Sequence, residues 1–446
     1  MRPTSLLRAS SLTLVLLTAC SGEDPTNTDS TGPAMAQSNL AREQTPQVSD
    51  EEKVMLVEGQ NAFAFDLYDL IRTEEGAGKN MFFSPTSITL ALSMAYAGAR
   101  GQTADEMAGA LHYTLPPERL FAAFNWLDQE LESRGDAAYA VAMNHTDSDE
   151  PSPDRDSFRS HIVNSMWGEQ TTTFEKPFLD TLAVNYGAGV FLADFKGNPD
   201  AERIRINDWV ADETLGRIED LIPPNQIDTL TRSVLVNAVH LKLPWTQSFS
   251  PTDDLSFTRL DGSTVSVPAI ARQQVWLYAK ASGLQAVLIP LEGYSVKLLI
   301  VAPGIGDLDT FEQALPASGL DSLLDKLESR TVTFRMPKVD FTTESIALRT
   351  KLETMGMTTP FSWAADFSGI TTDEPLHIDE VLHKAMLGID EKGVEAAAAS
   401  AVVVGSVVTA PPDYVQFDVD RPFFVGLVDG PTNTLLFAGH IVDPTG

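Results

Sequence analysis

From Gly393 to Ala410 the chain runs through 18 residues in which Glu395 is the only charged side chain and no apolar side chain exceeds valine in size. Ala396, Ala397, Ala398 and Ala399 are followed by Ser400, Ala401 and three valines, then by Gly405-Ser406-Val407-Val408 and finally Pro411-Pro412. A segment with so few large side chains anchors poorly in any core, because the gain on burial scales with apolar area. Local propensity splits it, the alanines favouring helix and the valines extended chain. As a strand, Val394, Ala396, Ala398, Ser400 and Val402 share one face while Glu395 begins the other. That pattern is small enough to slide between two strands and apolar enough to stay buried there. A low-complexity alanine helix or linker is the competing reading of the same composition.

The rest of the chain has to supply the core. Phe63, Leu67, Leu70 and Ile71 fall at helical spacing, as do Leu120, Phe124, Leu127 and Leu131, and Leu348, Leu352 and Met355. Ser84-Pro85 reads as a helix start, the serine as cap and the proline in the first turn. Val234–Leu241, Val287–Ile289, Val296–Val301, Phe423–Val428 and Leu435–Ile441 read as strands, with Val332, Phe334 and Met336 alternating in another. Helices lead and strands crowd the end, which predicts an α+β fold in one large domain over residues 51–446. Arg134 to Ser160 reads as a solvated acidic loop, with Asp147, Asp149, Glu150, Asp154 and Asp156 around Pro151 and Pro153. A Ca²⁺ loop is disfavoured there, because Pro151 takes a ligand position and the turn glycine is missing.

At the N-terminus, Arg2 and Arg8 precede the apolar run Leu12–Leu17, and Thr18-Ala19-Cys20 follows. A basic start, a short apolar core and small residues predict a secretory signal over residues 1–19. Leu17-Thr18-Ala19-Cys20 resembles the bacterial lipoprotein box, which makes Cys20 a lipidation site and the protein an exported one, held at the cell envelope or surface by a lipid anchor. Cys20 is also the only cysteine, so an intrachain disulfide and a cysteine-based zinc site are ruled out. Residues 20–50 are polar with no apolar period, and are expected to be a flexible tether.

Charge excludes several functions. The chain carries 31 Lys and Arg against 62 Asp and Glu, a net charge of −31. Nucleic acid, heparin and anionic membrane surfaces all need clustered cations and are not expected partners. No GxSxG, HExxH, CxxC or P-loop occurs, the seven histidines lack metal-ligand spacing, and neither cofactor nor metal is called for. His383, inside Val381-Leu382-His383-Lys384-Ala385-Met386-Leu387, reads as a hydrogen-bonded core histidine rather than a catalytic one.

Several motifs follow one another along the chain: Asn80-Met81-Phe82-Phe83-Ser84-Pro85-Thr86-Ser87-Ile88, Gly98-Ala99-Arg100-Gly101-Gln102-Thr103, Ile206-Asn207-Asp208-Trp209 and Leu235-Val236-Asn237-Ala238. Met336-Pro337-Lys338, Ala365-Asp366-Phe367-Ser368-Gly369-Ile370, His383-Lys384-Ala385, Glu391-Lys392-Gly393, Arg421-Pro422-Phe423 and Phe437-Ala438-Gly439 continue the series. In this order they resemble the motifs of the serpin family. One departure stands at Leu241-Lys242-Leu243-Pro244-Trp245, where the family commonly has Phe-Lys-Gly-x-Trp.

The resemblance implies helices packed around three β-sheets, and an exposed reactive loop that enters the main sheet after a target protease cuts it. It makes the chain no enzyme but a monomeric, irreversible suicide-substrate inhibitor of serine proteases. Glu391, Gly393, Val394, Glu395 and Ala396 to Ala399 would form the loop hinge. Counting seventeen residues from Glu391, the family's usual interval, places the reactive bond at Val407–Val408, with Val408 as runner-up for the cleaved residue. A small β-branched residue there suits an elastase-like or subtilisin-like pocket. Ser84, Ser87, Asn207 and His383 resemble the polar cluster that controls sheet opening. Two alternatives stay open: inhibition of a papain-like cysteine protease, and a non-inhibitory serpin acting as a surface binding protein.

Overall fold

The computed structural model describes residues 33–75, 78–145, 152–281, 283–394 and 414–445. Among these the helices are α1 (Asp50–Glu75), α2 (Pro85–Tyr96), α3 (Gly101–Ala110), α4 (Pro117–His145), α5 (Lys176–Tyr186), α6 (Pro199–Glu213), α7 (Leu308–Gln313), α8 (Leu315–Leu324) and α9 (Arg349–Thr354). The first half contributes the strands β1 (Met35–Ala36), β2 (Met81–Phe83), β3 (Arg159–Glu169), β4 (Val190–Ala193), β5 (Ser233–Pro244), β6 (Ser250–Thr258) and β7 (Thr264–Ala281). The second half adds β8 (Leu284–Pro290), β9 (Val296–Ala302), β10 (Glu328–Pro337), β11 (Val339–Thr342), β12 (Ile346–Ala347), β13 (Leu382–His383) and β14 (Met386–Ile389). It closes with β15 (Gly393–Val394), β16 (Tyr414–Asp418), β17 (Phe423–Asp429) and β18 (Thr434–Ile441).

Local chemistry explains the helix starts. Ser49 and Glu52 cap each other's backbone N–H groups at the head of α1, the capping-box arrangement. Ser84 Oγ accepts from the Ser87 N–H, and Pro85 occupies the first turn of α2. The acidic loop expected from Arg134 onward is corrected at both ends: α4 continues to His145 and β3 already begins at Arg159, while Asp147, Asp149, Glu150 and Pro151 lie outside the described residues. The apolar positions of this helix extend through Ala138, which is buried, so the helical face outlasts the point where acidic composition suggested a break.

Hydrogen bonding joins the strands into two networks. The first runs β1-β4-β3-β5-β15-β14-β11, with β13 bonded to both β5 and β12. The second runs β16-β10-β7-β8-β9-β17-β18-β2, with β6 on β7. Long β7 pairs with β6 and β10 along most of its length and with β8 at its end, which fuses two of the three expected sheets into one network. The main core fills the space between α1, α2, α4 and the sheets. A second, smaller core lies between α6 and the first sheet, with Trp167, Ile206, Val210 and Val236 at its centre.

The tether boundary is also corrected. Residues 35–49 pack on the body: β1 pairs with Val190 and Phe191 of β4, and the Glu43 N–H donates to the Val184 carbonyl at 2.9 Å. Arg42 reaches Asn125 at 2.8 Å and Asp128 at 2.6 Å on α4, and Ser38 donates to Asp180 on α5 at 2.6 Å. Charge-assisted hydrogen bonds hold this strap, which is why its lack of an apolar period made it read as free chain.

Candidate functional site

The small-residue stretch begins at a hairpin. β14 ends at Ile389, and Asp390 makes the turn, its Oδ1 accepting from the N–H groups of Lys392 at 2.7 Å and Gly393 at 3.2 Å. Trp245 clamps the turn, donating its backbone N–H to the Lys392 carbonyl at 2.9 Å and its indole N–H to the Asp390 carbonyl at 2.8 Å. Glu391 forms an ion pair with Lys338. Burial pushes the Glu391 carboxyl up, but the hydrogen bond and charge of Lys338, a backbone hydrogen bond and the charge of Lys392 together outweigh it and leave the group below the usual carboxylate range.

Gly393 and Val394 then form a strand of two residues between β5 and β14. Val394 pairs with Leu243 on one side and Ile389 on the other, and Gly393 pairs with Pro244. A side chain at Gly393 would sit 2.4 Å from the Leu243 carbonyl oxygen, so only glycine passes this point without displacing the neighbouring strand. Val394 is buried. The unusual Leu243-Pro244-Trp245 leaves β5 intact through Pro244, whose carbonyl accepts from the Glu292 N–H at 2.8 Å.

Farther down, β5 has a different neighbour. Val236 and Asn237 pair in parallel with Leu382 and His383 of β13. The partner of β5 thus changes along its length, from β13 low in the sheet to β15 at the top. At the top, β15 lies between β5 and β14.

A polar cluster lies at the lower contact. The Ser84 N–H donates to His383 Nε2 at 3.0 Å, so that nitrogen carries no proton and Nδ1–H donates to Asn237 Oδ1 at 2.7 Å. The Asn237 amide donates in turn to Ser87 Oγ and, at 2.6 Å, to Asn164 Oδ1 on β3. Ser84 Oγ donates to the Leu436 carbonyl of β18 at 2.7 Å. Burial pushes the His383 imidazole down to about 3, so it is neutral. The network ties β3, β5, β13, α2 and β18 together where β5 and β13 touch.

Asn207 does not join it, which corrects the expected membership. On α6, Asn207 bonds the Ile222 N–H at 2.9 Å and the Ile222 carbonyl at 3.0 Å, fastening the chain that returns from that helix. Asn237 takes its place, and Asn164 extends the cluster. The signal for Asn237 was a single amide inside Leu235-Val236-Asn237, a polar residue in an apolar strand. Glu395, Ala396, Ala397, Ala398, Ala399, Val407, Val408 and Cys20 lie outside the described residues.

The family model described as "Serpin (serine protease inhibitor)" matches residues 58–444. An uncharacterized serpin-like protein of Thermococcus kodakarensis is 33% identical over 440 residues, covering 97% of each chain. Human serpin B4 is 31% identical over 398 residues, 87% of this chain and 99% of the relative. Human thyroxine-binding globulin superposes with a TM-score of 0.74 at 27% identity, covering 88% of this chain and 100% of that one. With the fold and the match over residues 58–444 in agreement, the chain belongs to the serpin family, whose members are mostly protease inhibitors rather than enzymes.

Proposed function

We propose that the protein is an irreversible suicide-substrate inhibitor of elastase-like or subtilisin-like serine proteases. The protease serine adds to the Val407 carbonyl carbon, its proton passes through the protease histidine to the Val408 nitrogen, and the peptide bond breaks to leave an acyl ester. Residues from Glu395 onward then extend β15 between β5 and β13–β14, carrying the ester-linked enzyme with them before water can release it. The observation that carries this reading is the pairing of Gly393 and Val394 between β5 and β14, at the head of a stretch of small residues. Insertion has to outrun hydrolysis, and bulky or charged inward side chains would slow it by clash and desolvation. Export and attachment through a lipid on Cys20 complete the proposal and place the inhibitor, as a monomer, at the cell envelope or surface.

The test is incubation of residues 21–446 with pancreatic elastase or subtilisin, followed by denaturing electrophoresis. A band of summed mass that survives denaturation is expected. Cleavage near Val407 without that band would mean a substrate-like loop and would sink the proposal. Val394→Arg places a charge at the first inserted position and should convert inhibitor to substrate, lowering the adduct yield about tenfold or more.

A further inference from the structure

Near the top of β5, Lys242 is only 6% exposed, and among the described residues its Nζ makes neither a hydrogen bond nor an ion pair. A buried ammonium without an acceptor is costly to keep. Its neighbour across the ladder is Arg159 of β3, so two cations stand opposite each other, which destabilises a sheet unless an acid answers them. One acid is at hand: Asp156 accepts from Arg159 Nη2 at 2.7 Å. The hydrogen bond and charge of Arg159, with the charges of Lys242 and Arg155, hold the Asp156 carboxyl low against desolvation. Arg155 itself pairs with Asp136. One carboxylate for Arg159 and Lys242 leaves this row a negative charge short, in a chain whose net charge is −31.

The register of β15 says what supplies it. Gly393 pairs with Pro244 and Val394 with Leu243, so the next residue of an extended β15 falls opposite Lys242. That residue is Glu395, the only charge between Gly393 and Ala410. Leu243 and Val394 belong to the main core, so Lys242 and position 395 share the other face of the sheet. On the far side the pairing of Val394 with Ile389 places Gly388 opposite, which has no side chain to fill the space. The next acid in the row, Asp340 of β11, pairs with Gly388 and so stands two strands from position 395, about 10 Å away. We propose that Lys242 is a positioning residue for insertion, receiving the Glu395 carboxylate as β15 gains its first residue and so drawing the cut segment into the sheet before the ester is hydrolysed. The proposal rests on the inhibitor reading. It also accounts for the one acid kept in a segment otherwise free of charge: Glu395 enters on the face where a cation waits, and the small uncharged residues enter on the face of the core.

The experiment measures the ratio of cleaved product to covalent adduct, with pancreatic elastase and with subtilisin, for the wild type, Lys242→Met, Glu395→Gln and the double variant. Slower insertion gives hydrolysis more time, so each single loss of charge should raise the ratio about fivefold. The double variant should be no worse than either single one, because the second substitution removes a partner already left without its pair. Glu395→Gln decides the question alone if Lys242→Met does not fold. A ratio for Glu395→Gln within twofold of the wild type would overturn the pairing and leave the inhibitor reading intact. Effects that multiply in the double variant, to about 25-fold, would overturn it too, since residues that act independently are not partners. If the wild type forms no adduct, the inhibitor reading fails and the pairing falls with it.

Discussion

His383 keeps one proton, on Nδ1, and accepts from Ser84 with the other nitrogen, a tautomer set by its two partners rather than by solvent. Its imidazole titrates near 3 in the fold, against about 6.5 when the chain is unfolded, so the unfolded state binds more protons across that window. The sign follows: the stabilisation is complete above about pH 6.5 and is lost as pH falls toward 3, at about 1.4 kcal/mol per unit. Between pH 7 and pH 5 the wild type should therefore lose about 2 kcal/mol more stability than His383→Gln, read from urea unfolding at both values. Parallel losses in the two proteins would show that His383 is not held neutral. Sequence read this histidine as a hydrogen-bonded core residue, and it is buried with both ring nitrogens hydrogen-bonded. It misplaced the asparagine partner, because Asn207 and Asn237 both sit in matching motifs and only the packing of α6 against Ile222 tells them apart.

At the scale of elements, the strap over residues 35–49 includes one buried ion pair, Arg42 with Asp128. The Arg42 and Asp128 side chains are 15% and 10% exposed. Burial and the nearby Glu132 push the Asp128 carboxyl up to about 6 in spite of Arg42, so the carboxylate is costly to keep charged. Removing the cation alone should be worse than removing both partners. Arg42→Ala is expected to cost about 3 kcal/mol at pH 8, where Asp128 must stay ionised without a counterion. At pH 5 the acid neutralises itself and the cost should shrink to about 1 kcal/mol, the loss of ordinary hydrogen bonds. Urea midpoints at the two pH values decide it, and an equal loss at both would contradict the buried-charge account. Elements of this kind escape sequence reading. Helical spacing marked α1, the Ser84-Pro85 cap marked α2, and apolar runs marked β5, β8, β9, β17 and β18, of which α2, β17 and β18 are buried at every position. The strap has no such run, and the tail of α4 hid behind its acidic composition.

For the molecule as a whole, the proposed inhibition requires the first sheet to accept another strand and the segment after Val394 to supply it. Composition alone left that segment divided between helix and strand, and motif resemblance decided the reading. The structure adds the physical reason: β15 is already in the ladder, and β5 and β13 are joined directly only where the His383 cluster holds them. Extending β15 by about ten residues would add about 20 backbone hydrogen bonds, two ladders' worth, at about 1 kcal/mol net each. Ordering those residues costs about 1 kcal/mol apiece, which leaves about 10 kcal/mol in favour of insertion. For a domain of about 400 residues, with an unfolding entropy near 2.1 cal/mol/K per residue, that gain raises the midpoint by about 12 °C. Limited cleavage between Glu395 and Pro412 should produce this rise, measured by calorimetry on the purified cut protein. Val394→Arg should cut at the same place yet unfold near the intact midpoint, because its first inward position resists burial. A cut wild type that unfolds no higher than the intact chain would mean that the segment stays outside the sheet.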